Sequence, residues 1–144
     1  MITQTARPYH VLLVEDDAGD ALLIEEALTT GGTPRSVVQA PDGVAALEYL
    51  RGGTATRPDL IVLDLNMPRM DGTELLGILK SDPDLKTIPV VMLTTSSSPD
   101  DISSAYRRHA NAYIVKPVEL DAFTNAVRSI DAFYRGTAAR VPPA

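Results

Sequence analysis

Cysteine is absent from this 144-residue chain, and histidine appears only twice, as His10 and His109. The first absence excludes disulfides, thiolate nucleophiles and sulfur-bound metal. Together they argue against a zinc cluster, which is built mainly from those two residue types. Basic residues are in the minority, 13 against 19 acidic ones, for a net charge of −6. Binding through nucleic-acid phosphates is not expected of that balance. No apolar run approaches the ~20 residues that span a bilayer, and the opening "MITQTARPYH" lacks the greasy stretch of a signal peptide. The expectation is a cytoplasmic domain without membrane contact, long enough to bury a core without crosslinks.

What is present alternates. Short aliphatic runs, "HVLLVED" (10–16), "RSVVQA" (35–40), "PDLIVLD" (58–64), "IPVVMLTT" (88–95) and "AYIV" (112–115), read as strands, the second of them weaker and suited to an edge. Helical patterns separate them. The first starts at Asp17, with Ala21, Ile24 and Leu28 on one face, and stops at Gly31-Gly32. The second follows the turn Pro41-Asp42-Gly43 and stops at Gly52-Gly53; the third covers 73–82 and ends before Pro83. The fourth covers 99–110, and the last runs from 119 to about 135, with Leu120, Phe123, Val127, Ile130 and Tyr134 at three-and-four spacing. Such alternation predicts an α/β fold, a doubly wound five-stranded parallel sheet with five helices. Residues 1–9 and 136–144 read as an N-terminal extension and a C-terminal tail around one domain at 10–135.

Ligands of such sheets gather at the carboxyl ends of the strands. The first strand delivers Glu15, Asp16 and Asp17 there, the third Asp64, the fourth Thr94, Thr95 and Ser96, and the fifth Lys116 before Pro117. Acids converging on one edge repel unless a cation sits among them, and hard oxygen donors without nitrogen or sulfur suit Mg²⁺. A lysine and hydroxyls facing that cation would hold an anion. The set describes phosphoryl transfer with Asp64 as nucleophile. Plainer readings stand beside this one. Asp17 and Asp20, three apart, resemble a helix N-cap arrangement, which is the role favoured for both. Glu15-Asp16 alone would pass for a solvated strand end, and Lys116 for a surface cation; their joint placement favours chemistry.

"VLLVEDD", "VLDLNMPRMDG", "VVMLTT" and "YIVKP", in this order and spacing, resemble the receiver domain of two-component response regulators over about residues 10–135. The resemblance implies a flavodoxin-like sheet of order 2-1-3-4-5. It makes Asp64 the acceptor of a phosphoryl group from a histidine kinase. Asp16, Asp64 and the carbonyl of Asn66 would bind Mg²⁺ directly, with Glu15 acting through water. Thr94 and Lys116 would hold phosphoryl oxygens, and Pro117 would follow a cis peptide. Met67, Pro68 and Gly72 would shape the loop after Asp64. Thr94 and Tyr113 would form the switch, moving the face of helix 4, strand 5 and helix 5; the plainer reading of Tyr113 is a half-buried strand residue. Asn66 and Ser96 would flank incoming water.

Two departures from the pattern are visible. Thr95 replaces a small alanine, narrowing access to the phosphoryl pocket, and His109 stands where a glycine ends helix 4. "YRRH" (106–109) reads as a solvated face. "EDDAGDALLIEEAL", "LTTSSSPDD" and "DAFYRGTAA" further resemble stand-alone receivers that pair with bacteriophytochrome kinases, which implies a homodimer through helix 4, strand 5 and helix 5 or through the C-terminal arm, where Phe133, Tyr134 and Val141 would serve. The rival is a phosphatase of the haloacid dehalogenase type, also with an Asp nucleophile and Mg²⁺. It requires a second acid two residues on, and that position holds Asn66, which cannot donate a proton.

Overall fold

An aliphatic run with no polar face must be covered on both sides, and three of the strands here are. The computed structural model describes residues 8–29, 35–53 and 56–142. Its elements are β1 (Tyr9–Val14), α1 (Ala18–Thr29), β2 (Arg35–Ala40), α2 (Gly43–Arg51), β3 (Leu60–Leu63), α3 (Gly72–Ser81), β4 (Val90–Thr94), α4 (Pro99–Arg107), β5 (Ala112–Val115) and α5 (Leu120–Asp131). The sheet is parallel, in the order β2-β1-β3-β4-β5. The expected architecture is therefore the observed one, with β2 at an edge.

Alternation along the strands sends side chains to two cores. Leu12, Val14, Ile61, Leu63, Val90 and Met92 face α2, α3 and α4, where Ala46, Leu75, Leu76, Leu79 and Ala105 close over them. Val11, Leu13, Leu60, Val62, Val91 and Leu93 face α1 and α5, meeting Ala21, Ile24, Leu28, Phe123, Val127 and Ile130. The expected stop of α1 at Gly31-Gly32 lies outside the described residues. Leu120 departs from the predicted apolar stripe of α5: it is 57% exposed, in the first turn of that helix.

The last helix also ends earlier than its pattern suggests. After Asp131 the repeat widens into a π-helical turn over Ala132–Thr137, closed by the Ala138 N–H donating to the Phe133 carbonyl at 2.6 Å. Phe133 and Tyr134 meet edge to face, with ring centroids 5.0 Å apart. Beyond the turn Arg140 returns to the sheet. Its Nη2 donates to Asp59 Oδ2 at 2.8 Å and to the Pro8 carbonyl at 2.9 Å, and its guanidinium lies over the Tyr9 ring. Tyr9 is thus a buried residue of β1 and not part of an extension.

Two backbone positions show how local sequence serves this frame. His109 adopts φ +70°, the left-handed value usually left to glycine. From there its N–H donates to the Tyr106 carbonyl and that of Ala110 to Ala105, each at 3.0 Å. This is the paired C-terminal cap a glycine would make, so the turn keeps its form despite the departure in sequence. Gly72 starts α3, capped by Asp71, whose carboxylate accepts from the Glu74 N–H. A Cβ on Gly72 would come within 2.1 Å of the Asp64 carbonyl oxygen.

Gly72→Ala should therefore destabilise the fold by about 3 kcal/mol or more, because backbone on both sides must move; urea unfolding measures it. His109→Gly should act in the opposite sense, raising stability by up to about 1 kcal/mol as the left-handed strain is removed.

Candidate functional site

Register brings the acids together. Val14 lies opposite Leu63 in the β1–β3 ladder, so Glu15 and Asp64 leave the sheet side by side, the Asp64 N–H donating to the Val14 carbonyl at 3.0 Å. Thr94 lies opposite Val115, and the Lys116 N–H donates to the Thr94 carbonyl at 2.7 Å. From this strand end the lysine reaches across β4 to the acids. Its Nζ donates to Glu15 Oε1 at 2.6 Å, to Asp20 Oδ2 at 2.9 Å and to Asp64 Oδ2 at 3.4 Å. Glu15, Asp64 and Lys116 are all buried; Asp64 is only 8% exposed. A buried carboxylate is tolerated when a buried cation answers it, which accounts for an aspartate ending so apolar a strand.

Carboxylate oxygens of Glu15, Asp16 and Asp64 all lie within 4.8 Å of one another, Asp16 exposed and the other two buried. Three hard oxygen donors, with neither sulfur nor imidazole among them, fit a hard divalent cation. The charges point the same way. Burial, with the neighbouring Asp64 charge adding to it, pushes Glu15 up to about 7 against the pull of Lys116. Burial disfavours the Lys116 ammonium, but its hydrogen bonds to Glu15 and Asp20 outweigh that and hold the lysine above its ordinary value. One ammonium thus faces more negative charge than it can neutralise.

The remaining sequence-derived residues take up distinct places. Thr94 ends β4 fully buried, its Oγ1 accepting from the Ser96 N–H at 3.4 Å. The Ser96 hydroxyl donates to Asp101 at 2.5 Å and is thereby engaged by α4. Asn66 is exposed, two residues past Asp64, and Thr95 is exposed on the rim of the cleft beside Lys116. Tyr113 is half-buried on β5; its hydroxyl donates to the Ser96 carbonyl at 2.9 Å, tying β5 to the β4–α4 loop. The cis peptide expected before Pro117 is not found, for no described peptide bond is cis. Lys116 meets its acids with the intrinsically favoured trans bond.

Asp20 is the residue that sequence reasoning misplaced. Asp17 does cap α1, its Oδ1 accepting from the Asp20 N–H at 2.8 Å. The carboxylate of Asp20, assigned the same role, instead turns over the sheet to Lys116. A second unpredicted pair restrains the loop after Asp64. Asp42 caps α2 by accepting from the Ala45 N–H at 2.9 Å, and also accepts from Arg69 Nε at 2.8 Å and Nη2 at 3.0 Å. Arg69 takes φ +63° to reach it.

Residues 11–128 match the response regulator receiver domain family. The chain is 39% identical over 141 residues to response regulator Rcp1 of Synechocystis, covering 95% of this chain and 96% of that protein. Among solved structures it resembles the phosphorylated cyanobacterial phytochrome response regulator RcpA, with a TM-score of 0.92, 44% identity and coverage of 94% of this chain and all of that one. The Mn²⁺-bound form of Rcp1 has a TM-score of 0.90 at 39% identity, over 94% of this chain and all of that one.

Glu15 yields a pH signature. Between the ordinary glutamate value of 4.5 and about 7, the folded chain holds a proton on Glu15 that the unfolded chain has released. Stability from this group is therefore full below 4.5 and is lost as pH rises through about 7. In the presence of a chelator, Glu15→Gln should flatten this part of the profile. Urea midpoints across the interval check it, and an unchanged slope would refute the assignment.

Proposed function

The chain belongs to the response regulator receiver family, and on that footing we propose that Asp64 accepts a phosphoryl group from a sensor histidine kinase in a Mg²⁺-dependent reaction. One observation carries the proposal: Asp64 stands within 4.8 Å of two further carboxylates and 3.4 Å from a buried lysine, all at the carboxyl ends of strands of one sheet. Glu15, Asp16 and Asp64, with the Asn66 carbonyl, would hold the ion, which when bound neutralises charge on the phosphoryl oxygens.

The residues of the chain do the rest. An Oδ of Asp64 attacks phosphorus in line. The bond from phosphorus to the donor imidazole nitrogen breaks, and its electron pair stays with that nitrogen. Lys116 donates to a phosphoryl oxygen, as does the Thr94 hydroxyl. Water later attacks phosphorus, breaking the new P–O bond and returning the Asp64 carboxylate and inorganic phosphate. Asn66 and Ser96 flank that approach. The protein acts as a phosphoacceptor catalysing only its own phosphorylation and dephosphorylation.

Similarity to the cyanobacterial phytochrome response regulator RcpA and to the bacteriophytochrome response regulator AtBRR supports a bacteriophytochrome as the donor kinase, and no described helix is long and apolar enough to cross a membrane. Fully exposed Val118 and exposed Leu120, which line the cleft beside Lys116, offer that kinase an apolar collar. Phosphorylation places about two negative charges at the site. Thr94 turns toward them, and the Tyr113 tie to the Ser96 carbonyl carries the shift to the face of α4, β5 and α5. That face carries exposed Tyr106 and Val115, and the C-terminal arm carries exposed Phe133; a homodimer would cover one or the other.

Incubation with acetyl phosphate and Mg²⁺ should add one phosphoryl mass to the wild type. Asp64→Asn should add none while keeping the same circular dichroism and urea midpoint within about 1 kcal/mol. Steady turnover of a generic phosphate ester would favour the haloacid dehalogenase reading instead.

A further inference from the structure

We propose that Asp20 is a positioning residue that competes with the phosphoryl group for Lys116, holding the lysine back while the site is empty and releasing it when the group arrives. This rests on the phosphoacceptor reading above and adds to it a residue outside the acids that hold the ion.

A lysine ammonium has three N–H groups, and here three carboxylates take them: Glu15 at 2.6 Å, Asp20 at 2.9 Å and Asp64 at 3.4 Å. A phosphoryl oxygen can receive one only if a present acceptor gives way. Glu15 is 1% exposed, so leaving it unpaired would strand a buried carboxylate. Asp64 is the residue that carries the new group. Asp20 is the acceptor that can be released at little cost. Its side chain is 33% exposed, against 1% for Glu15 and 10% for Asp64.

The surroundings fit this release. A cleft of about 220 Å³ between α1 and the β5–α5 loop opens beside the pair, lined by Asp20, Leu23, Lys116, Pro117 and Leu120. Water in that cleft can take over the Asp20 carboxylate. The residue itself stays fixed, because its N–H is held by Asp17 at 2.8 Å and it sits in the first turn of α1, where negative charge is favoured. Only the side chain has to move. A carboxylate kept there also repels the incoming dianion, so competition and repulsion oppose phosphoryl binding in the same sense.

Beryllofluoride with Mg²⁺ is the probe, titrated by calorimetry into wild type, Asp20→Asn and Asp20→Ala, with Mg²⁺ alone titrated separately. Both variants should bind beryllofluoride roughly fivefold more tightly at saturating Mg²⁺, the size of one partly exposed charge pair. Their affinity for Mg²⁺ alone should stay within about twofold, since Asp20 is outside the metal-binding acids. A purely structural residue would shift the urea midpoint and leave the beryllofluoride affinity where it was. Unchanged or weaker beryllofluoride binding in both variants overturns the proposal, and so does loss of Mg²⁺ binding, which would make Asp20 a metal ligand. Failure of the wild type to bind the probe would instead overturn the phosphoacceptor reading.

Discussion

A single ammonium group sets the electrostatics of this molecule. Lys116 brings one positive charge into a well where Glu15 and Asp64 are buried and Asp20 stands at the rim. Burying that many carboxylates without a counter-charge would cost several kcal/mol per ion. The lysine makes the strand ends tolerable, yet leaves the well short of positive charge. That deficit is useful. A site already neutral would have nothing to gain from a divalent ion, whereas here burial and the Asp64 charge hold Glu15 above its ordinary value, a cost that a second cation would relieve.

Rigidity and freedom are divided around the well. Its floor is the sheet, with β3 and β4 buried along their whole lengths and β1 buried from Val11 to Val14. The loop after Asp64 is restrained from both sides, by the Asp42–Arg69 pair and by the close approach of Gly72 to the Asp64 carbonyl. The rim on the other side is looser in character. Thr95, Val118 and Leu120 are exposed there, and Tyr113 holds the β4–α4 loop through one hydrogen bond to a carbonyl. Chemistry needs the first part fixed, and a response needs the second part able to shift.

Much of this was legible in the residues. Continuous aliphatic runs this short, bounded by turn residues, suit doubly covered strands, so β1, β3 and β4 announced themselves, and their terminal residues announced the well. Asp20 was not legible, because Asp17 followed three residues later by an acid is the same pattern whether the second acid caps a helix or crosses to a neighbouring strand. Only the placement of Lys116, 96 residues away in sequence, separates the two. Leu120 failed for a related reason. Spacing reports which face of a helix is apolar, but not whether any neighbouring element covers its first turn. The Asp59–Arg140 pair has no local signal at all, since it joins positions 81 residues apart.

That last pair has a topological consequence. Arg140 bonds the Pro8 carbonyl and lies over Tyr9, so the first strand and the final described segment are stapled at the pole of the sheet opposite the acids. A short added loop could join Pro8 to the segment at Arg140 there, and new ends could be opened in a surface connection, giving a circularly permuted arrangement of the described elements with its acidic pole left as it is.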